Sequence, residues 1–149
     1  MGRDELASAI DRAVRELAFV EHLRMHQFAS ATAMSPTDIR ALLYLMERAD
    51  AGVPVTPGDL CARLNLTSGA VTAVIDRLEQ GGHVQRRPHP HDRRSTIVEH
   101  TEQAAETGRA HFAAVAARMA AVHNHYSADE LRLIARFLEE TVKAVDVRD

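Results

Sequence analysis

Three helix-start signals cut the middle of this chain into pieces too short to be stable alone. Ser35-Pro36-Thr37-Asp38 reads as a helix start, with Ser35 as N-cap, proline at the first helical position and an acid in the first turn. Thr56-Pro57-Gly58-Asp59 repeats the pattern, and Thr67 or Ser68 caps a third helix. Helices shorter than about 12–15 residues are marginal in water, so three in succession must pack on one another. Their apolar positions agree: Ile39, Leu42, Leu43 and Met46, then Leu60, Cys61 and Leu64, then Val71, Val74, Ile75 and Leu78. Asp50-Ala51-Gly52 stops the first helix, Asn65 the second and Gly81-Gly82 the third, since glycine takes the left-handed conformation of a helix C-cap.

Longer elements flank this core. Leu6, Ile10, Val14, Leu17, Val20 and Leu23 mark an amphipathic helix from Leu6 to Phe28. After the third short helix, His83 to Arg87 is extended, Pro88-His89-Pro90-His91-Asp92 excludes helix, and Ser95-Thr96-Ile97-Val98 is rich in β-branched residues, so a hairpin is expected. Thr101 caps an Ala-rich helix of roughly 102–123, striped by Phe112, Val115, Met119 and Val122. Ser127 and Glu130 form a capping box for a last helix facing inward with Leu131, Ile134, Leu138 and Val142. The expected fold is mainly α with a small β-hairpin wing. Residues 35–101 are expected to form one lobe, and residues 1–34 and 102–149 a helical layer that serves dimerisation.

The chain has 149 residues, 46% apolar and 26% charged, enough for one domain that folds without disulfides or metal. Its longest stretch without Asp, Glu, Lys or Arg, Met25 to Thr37, is 13 residues, short of the roughly 20 apolar residues that a membrane span needs. The charged N-terminus does not resemble a secretory signal, and a single cysteine makes no internal bridge, so the chain is expected in the cytoplasm without a membrane partner. Nucleophile elbows, P-loops and zinc-protease motifs are absent, so no enzyme is expected. Net charge is −3, yet Arg86, Arg87, Arg93 and Arg94 against Asp92 give the segment from His83 to Val98 a local +3. The remainder therefore carries −6, and the basic charge reads as a small, directed anion-binding feature.

A short helix, a turn of about four residues and a second amphipathic helix form the helix-turn-helix arrangement, whose second helix enters the DNA major groove. Opposite its apolar stripe the third short helix carries Ser68, Gly69, Thr72, Ala73, Asp76 and Arg77. Small polar residues allow close approach to DNA, and free amides at the helix N-terminus suit a phosphate. The arginine hairpin follows directly: Arg94 is placed in the minor groove, Arg86 or Arg87 nearer the phosphates, and Asp92 pairs with a neighbouring guanidinium to shape the tip.

These residues resemble the MarR-type winged-helix transcription regulators, and the likeness covers essentially the whole chain. Its most specific stretches are Leu66-Thr67-Ser68-Gly69-Ala70-Val71-Thr72, Asp76-Arg77-Leu78-Glu79 and the wing from Arg86-Arg87-Pro88 to Asp92-Arg93-Arg94, with Ser35-Pro36-Thr37 opening the second helix. The resemblance implies a homodimer, built by intertwining the first and last two helices, that reads a pseudo-palindromic operator in double-stranded DNA. It further implies DNA contacts from Ser35, Thr37, Thr67, Ser68, Gly69, Thr72, Ala73, Arg77, Arg86, Arg87, Asp92 and Arg94. Position 73 is alanine where many relatives carry a long polar or basic residue. The family role is most often repression, relieved by a small aromatic or phenolic effector. Phe19, Leu23, His26, Phe28 and Leu43 are the expected lining of the effector cleft, and no fixed cofactor or metal is implied. The rival reading is a helical dimeric adaptor that binds no DNA, which leaves the wing arginines idle.

Two features read as structural. Cys61 lies between Leu60 and Leu64 on an inner face and is expected in the core rather than as a redox sensor. His22 and His26 stand one turn apart, but a metal site needs three or four converging ligands, so they read as surface histidines.

Overall fold

The structure, a computed structural model, describes residues 2–92 and 94–146. The elements run α1 (Arg3–Thr32), α2 (Pro36–Asp50), α3 (Pro57–Leu64), α4 (Ser68–Gln80), β1 (Val84–Pro88), β2 (Thr96–His100), α5 (Glu102–His123) and α6 (Ala128–Val145). The mainly helical order with one antiparallel hairpin is the one expected. The chain divides into two compact units, residues 1–101 and 102–149. Helix α1 lies in the first of these units, where its C-terminal turns pack on α2 and Phe28 and Ala29 are buried.

In the first unit α2, α3, α4 and the hairpin enclose one core. Ile39, Leu60, Val71, Ile75 and Leu78 are its largest fully buried side chains, each stabilising by about 1.5–3 kcal/mol through loss of water contact. The buried face of α2 is Ile39, Ala41, Leu42 and Leu45, while Leu43 and Met46, expected inward, are only half-buried. The stripe is rotated because α3, α4 and β2 all pack on α2 and cover the side centred on Leu42.

Chain reversals follow the cap signals with two differences. α1 runs past Phe28 to Thr32, whose hydroxyl donates to the Phe28 carbonyl at 2.7 Å, and it stops only where Ala33 turns left-handed (φ 55°). At the end of α4, Gly82 holds the positive φ (73°), whereas Gly81 stays right-handed. Position 81 is crowded for another reason: a Cβ there would lie 2.8 Å from Cδ2 of His83, whose ring would have to shift.

The hairpin pairs Val84 with His100 through to Pro88 with Thr96. Both of its edges are closed. The Arg86 N–H donates to Glu79 of α4 at 3.3 Å, and the N–H of its register partner Val98 donates to the Val55 carbonyl at 2.8 Å. Thr101 ties the end of β2 back to the α4 turn by donating its hydroxyl to the Gly82 carbonyl at 2.7 Å. In the second unit Ser127 and Glu130 form the expected capping box, yet α6 has no buried residue among those described.

A buried carboxylate ties α2 to α4. Asp38, only 4% exposed, caps α2 by accepting from the Ser35 N–H at 3.0 Å and accepts from Arg77 of α4, with Nη2 to Oδ1 at 2.7 Å. Burial alone would raise the Asp38 pKa, but the hydrogen bonds from Arg77 and Ser35 outweigh it and hold the carboxyl below its usual range.

Two outcomes are expected from this architecture. Ala33→Gly should stabilise the protein by about 0.5–1 kcal/mol, because relief of left-handed strain exceeds glycine's added entropy; a lower melting temperature would remove the strain argument. Asp38→Asn should destabilise by about 1–3 kcal/mol at neutral pH. Since the folded pKa is lowered, the Asp38 contribution is complete above the ordinary carboxylate range and fades as pH falls below about 4. Thermal unfolding of both proteins against pH should show the gap narrowing there, and a constant gap would mean that the charge of Asp38 is irrelevant.

Candidate nucleic-acid interface

The turn between α3 and α4 is set by Asn65, which is left-handed (φ 53°), and by Thr67, whose hydroxyl accepts from the Ala70 N–H at 3.3 Å. Of the two cap candidates Thr67 takes the role. Its oxygen is thereby committed to the helix, while Ser68 becomes the first helical residue and is exposed.

On α4 the back is Val71, Val74, Ile75 and Leu78, at most 3% exposed, and the front is Ser68, Gly69, Thr72, Ala73, Asp76 and Arg77, all exposed. A Cβ at Gly69 would meet nothing within 4 Å, so packing does not demand glycine there and the helix start stands open to solvent. The Thr72 hydroxyl donates to the Ser68 carbonyl at 2.9 Å, which leaves its oxygen lone pairs available on an exposed residue that also carries a methyl group. Such a group can accept from a base amine or pack on a thymine methyl.

The arginines are less uniform than the sequence suggests. Arg77 is engaged by Asp38, although its side chain stays 52% exposed. Arg86, expected nearer the phosphates, has its guanidinium held by Asp76 and Glu79 of α4. The Asp76 hydrogen bond, with the two carboxylate charges, raises its pKa above the usual arginine value. Arg87 pairs with Glu99 across the hairpin at 3.0 Å but remains largely exposed. Among the described residues, Arg94 is the wing arginine whose guanidinium has no carboxylate partner; Arg93 lies outside them.

Among the described residues the wing tip is held by bonds to the backbone, and a pair between Asp92 and the Arg93 guanidinium lies outside them. Asp92 Oδ1 accepts from the Arg94 backbone N–H at 3.0 Å, and the Asp92 carbonyl accepts from the Ser95 N–H, also at 3.0 Å. The His89 N–H donates to the Ser95 carbonyl at 2.9 Å. His89 also uses Nδ1 to accept from the His91 N–H at 3.1 Å, a bond that only the neutral imidazole can make.

At the start of α2, Ser35 and Thr37 are half-buried. The Ser35 hydroxyl accepts from the Asp38 N–H at 3.1 Å, and the Thr37 hydroxyl accepts from Arg40 at 3.3 Å, so both oxygens already serve the lobe. The residues expected around an effector do not share a surface. Phe19, Leu23 and His26 are exposed on α1, Leu43 is half-buried, and Phe28 is 3% exposed and belongs to the core, as its place in the last turns of α1 against α2 dictates. A cleft of about 480 Å³ in this unit lies elsewhere, between the end of α2 and the wing, with Leu45, Val55, Ile97, His91 and His100 in its walls. Cys61 is half-buried rather than in the core. His22 and His26 do share a face, with ring centroids 4.4 Å apart, and no cluster of three metal-ligating side chains occurs among the described residues. None of the described helices is long and apolar enough to cross a membrane.

The links that sequence reasoning misses are Asp38–Arg77, Arg86 with Asp76 and Glu79, and Arg87–Glu99. Only the last carries a local signal, since a hairpin register of Arg86 opposite Val98 brings residues 87 and 99 close.

Comparison with known proteins agrees with this geometry. A model of the MarR family matches residues 33–95, from the start of α2 into the wing. The uncharacterized HTH-type transcriptional regulator YcgE of Bacillus subtilis is 31% identical over 147 residues, 99% of this chain and 91% of that protein. The crystal structure of a MepR mutant from a multidrug resistant S. aureus clinical isolate superposes with a TM-score of 0.73 at 15% identity, covering 92% of this chain and 97% of that one. The S. aureus MepR–DNA complex gives 0.58 at 15% identity, over 89% and 96% of the two chains. The chain belongs to the MarR family of transcriptional regulators.

Proposed function

We propose that this protein is a sequence-specific double-stranded DNA-binding repressor that acts as a homodimer. The observation that carries the reading is the front of α4, where Ser68, Gly69, Thr72 and Ala73 stand exposed over a fully buried back, beside a wing whose Arg94 lacks a carboxylate partner among the described residues. That pairing suits a helix in the major groove with an arginine in the adjacent minor groove. Thr72 and Ser68 are the base-reading residues, Arg94 the minor-groove contact, and Arg87 the phosphate contact. The MepR–DNA complex, whose fold is similar, supports the same direction.

Two sets of exposed apolar residues support the dimer. α1 leaves Leu6, Ile10, Leu17, Val20 and Leu23 between 41% and 53% exposed. In α6, Leu133, Ile134, Phe137, Leu138 and Val142 are between 38% and 60% exposed. Apolar stripes of this length on a small monomer call for a partner, and a second copy supplies the same stripes with matching symmetry. Two copies then read two half-sites about one helical turn apart. A small aromatic or phenolic effector belongs to this reading as a ligand that favours a half-site spacing unfit for the operator. Phe19 and His26, exposed on α1 and outside the stripe assigned to the second copy, are the surface we assign to it.

Sedimentation at micromolar concentration should give one species near twice 16.4 kDa, and a well-folded monomer would end the dimer reading. Binding is read against a duplex enriched from a random pool and against a scrambled duplex. Thr72→Ala should cost about 1–3 kcal/mol on the enriched duplex and little on the scrambled one. Equal losses on both would reduce Thr72 to a backbone support. Arg94→Ala should leave the melting temperature nearly unchanged, as exposed arginines contribute little to folding, and weaken the enriched duplex by about 1–3 kcal/mol. If the wild type binds no duplex at low salt, the repressor reading fails and a helical adaptor replaces it.

A further inference from the structure

Arg86 sits at the centre of β1, opposite Val98, and its contacts all run back to one helix. Its backbone N–H donates to Glu79 Oε1 at 3.3 Å, and its guanidinium reaches Glu79 Oε2 with Nη1 and Asp76 Oδ1 with Nη2. The side chain is 32% exposed, against 58% for Arg87 on the next position of the strand. A planar guanidinium can serve two carboxylates at once, whereas the single ammonium of lysine cannot span them in the same way. Asp76 lies one turn beyond Thr72 on the exposed face of α4, so its charge and that of Glu79 stand beside the surface assigned to DNA. Uncompensated, two such carboxylates would repel phosphates at short range.

We propose that Arg86 is a positioning residue: by bridging Asp76 and Glu79 to β1 it joins the recognition helix and the wing into one body and screens both carboxylates, without itself meeting a phosphate. The proposal rests on the DNA-binding reading above and adds to it how the two reading elements are held in register. It also separates the wing arginines by task, with Arg86 facing the protein and Arg94 facing outward.

The experiment compares five proteins: wild type, Arg86→Gln, Arg86→Lys, the double variant Asp76→Asn/Glu79→Gln, and that double variant carrying Arg86→Gln. Each is titrated with the enriched and the scrambled duplex over a salt series. Arg86→Gln should weaken the enriched duplex roughly tenfold, and lysine should fail to restore it. In the Asp76→Asn/Glu79→Gln background the same change should cost less than about twofold, because its partners are already gone. The salt slope of Arg86→Gln should stay within about half a unit of wild type. An arginine that meets a phosphate gives the opposite pattern: rescue by lysine, a slope lower by about one unit per subunit, and an undiminished loss in the double background. That pattern overturns the proposal. Thermal unfolding of the same proteins keeps the two readings apart. If the wild type binds no duplex, the repressor reading falls, and the bridge is judged by whether the melting loss of Arg86→Gln vanishes in the double background or persists there.

Discussion

Everything that α4 presents to its surroundings depends on how completely its back is buried. Val71, Val74, Ile75 and Leu78 are at most 3% exposed, packed in a core with Ile39, Leu42 and Leu45 of α2 and Leu60 of α3. A helix fixed on one side by four buried branched residues has little freedom to roll, so the opposite side points in one direction. Thr67 caps the start of that helix and Gly82 turns the chain at its end, which sets its length as well as its rotation.

Charge then refines what burial has set. Four carboxylates of the lobe hold arginines. Asp38 takes Arg77, Asp76 and Glu79 take Arg86, and Glu99 takes Arg87. Asp38 differs from the others because it is buried and also caps α2, so one side chain joins the start of α2 to the last turns of α4. The exposed pairs contribute little stability singly, and their effect is geometric, limiting which guanidiniums are free to reach a ligand.

The α1 stripe and the bare face of α6 belong to a different level of organisation. An 18-residue helix with no buried residue does not fold for its own sake, since helix propensity alone gives only marginal stability. Its capping box fixes where it starts, and Leu133, Ile134, Phe137, Leu138 and Val142 stay exposed on it.

The sequence by itself determined the element order, the caps at Ser35, Thr56 and Ser127, the stop at Asn65 and the buried face of α4. Those features rest on contacts between residues one to four apart, where residue type and spacing suffice. It also marked the wing, because Pro88 and Pro90 exclude helix and β-branched residues follow. What it did not determine depends on side chains meeting across the fold. The inward face of α2 was shifted by its packing against α1, α3, α4 and β2 at once, which left Leu43 and Met46 half-buried. Phe28 joined the core because α1 continued for another turn. Arg77 and Arg86 looked in sequence like any arginine on a basic surface, and only tertiary structure decided that both face carboxylates. Their partners lie 39 residues away in one case and 7 and 10 in the other, and spacing along the chain carries no information about which carboxylate a long, flexible guanidinium will reach.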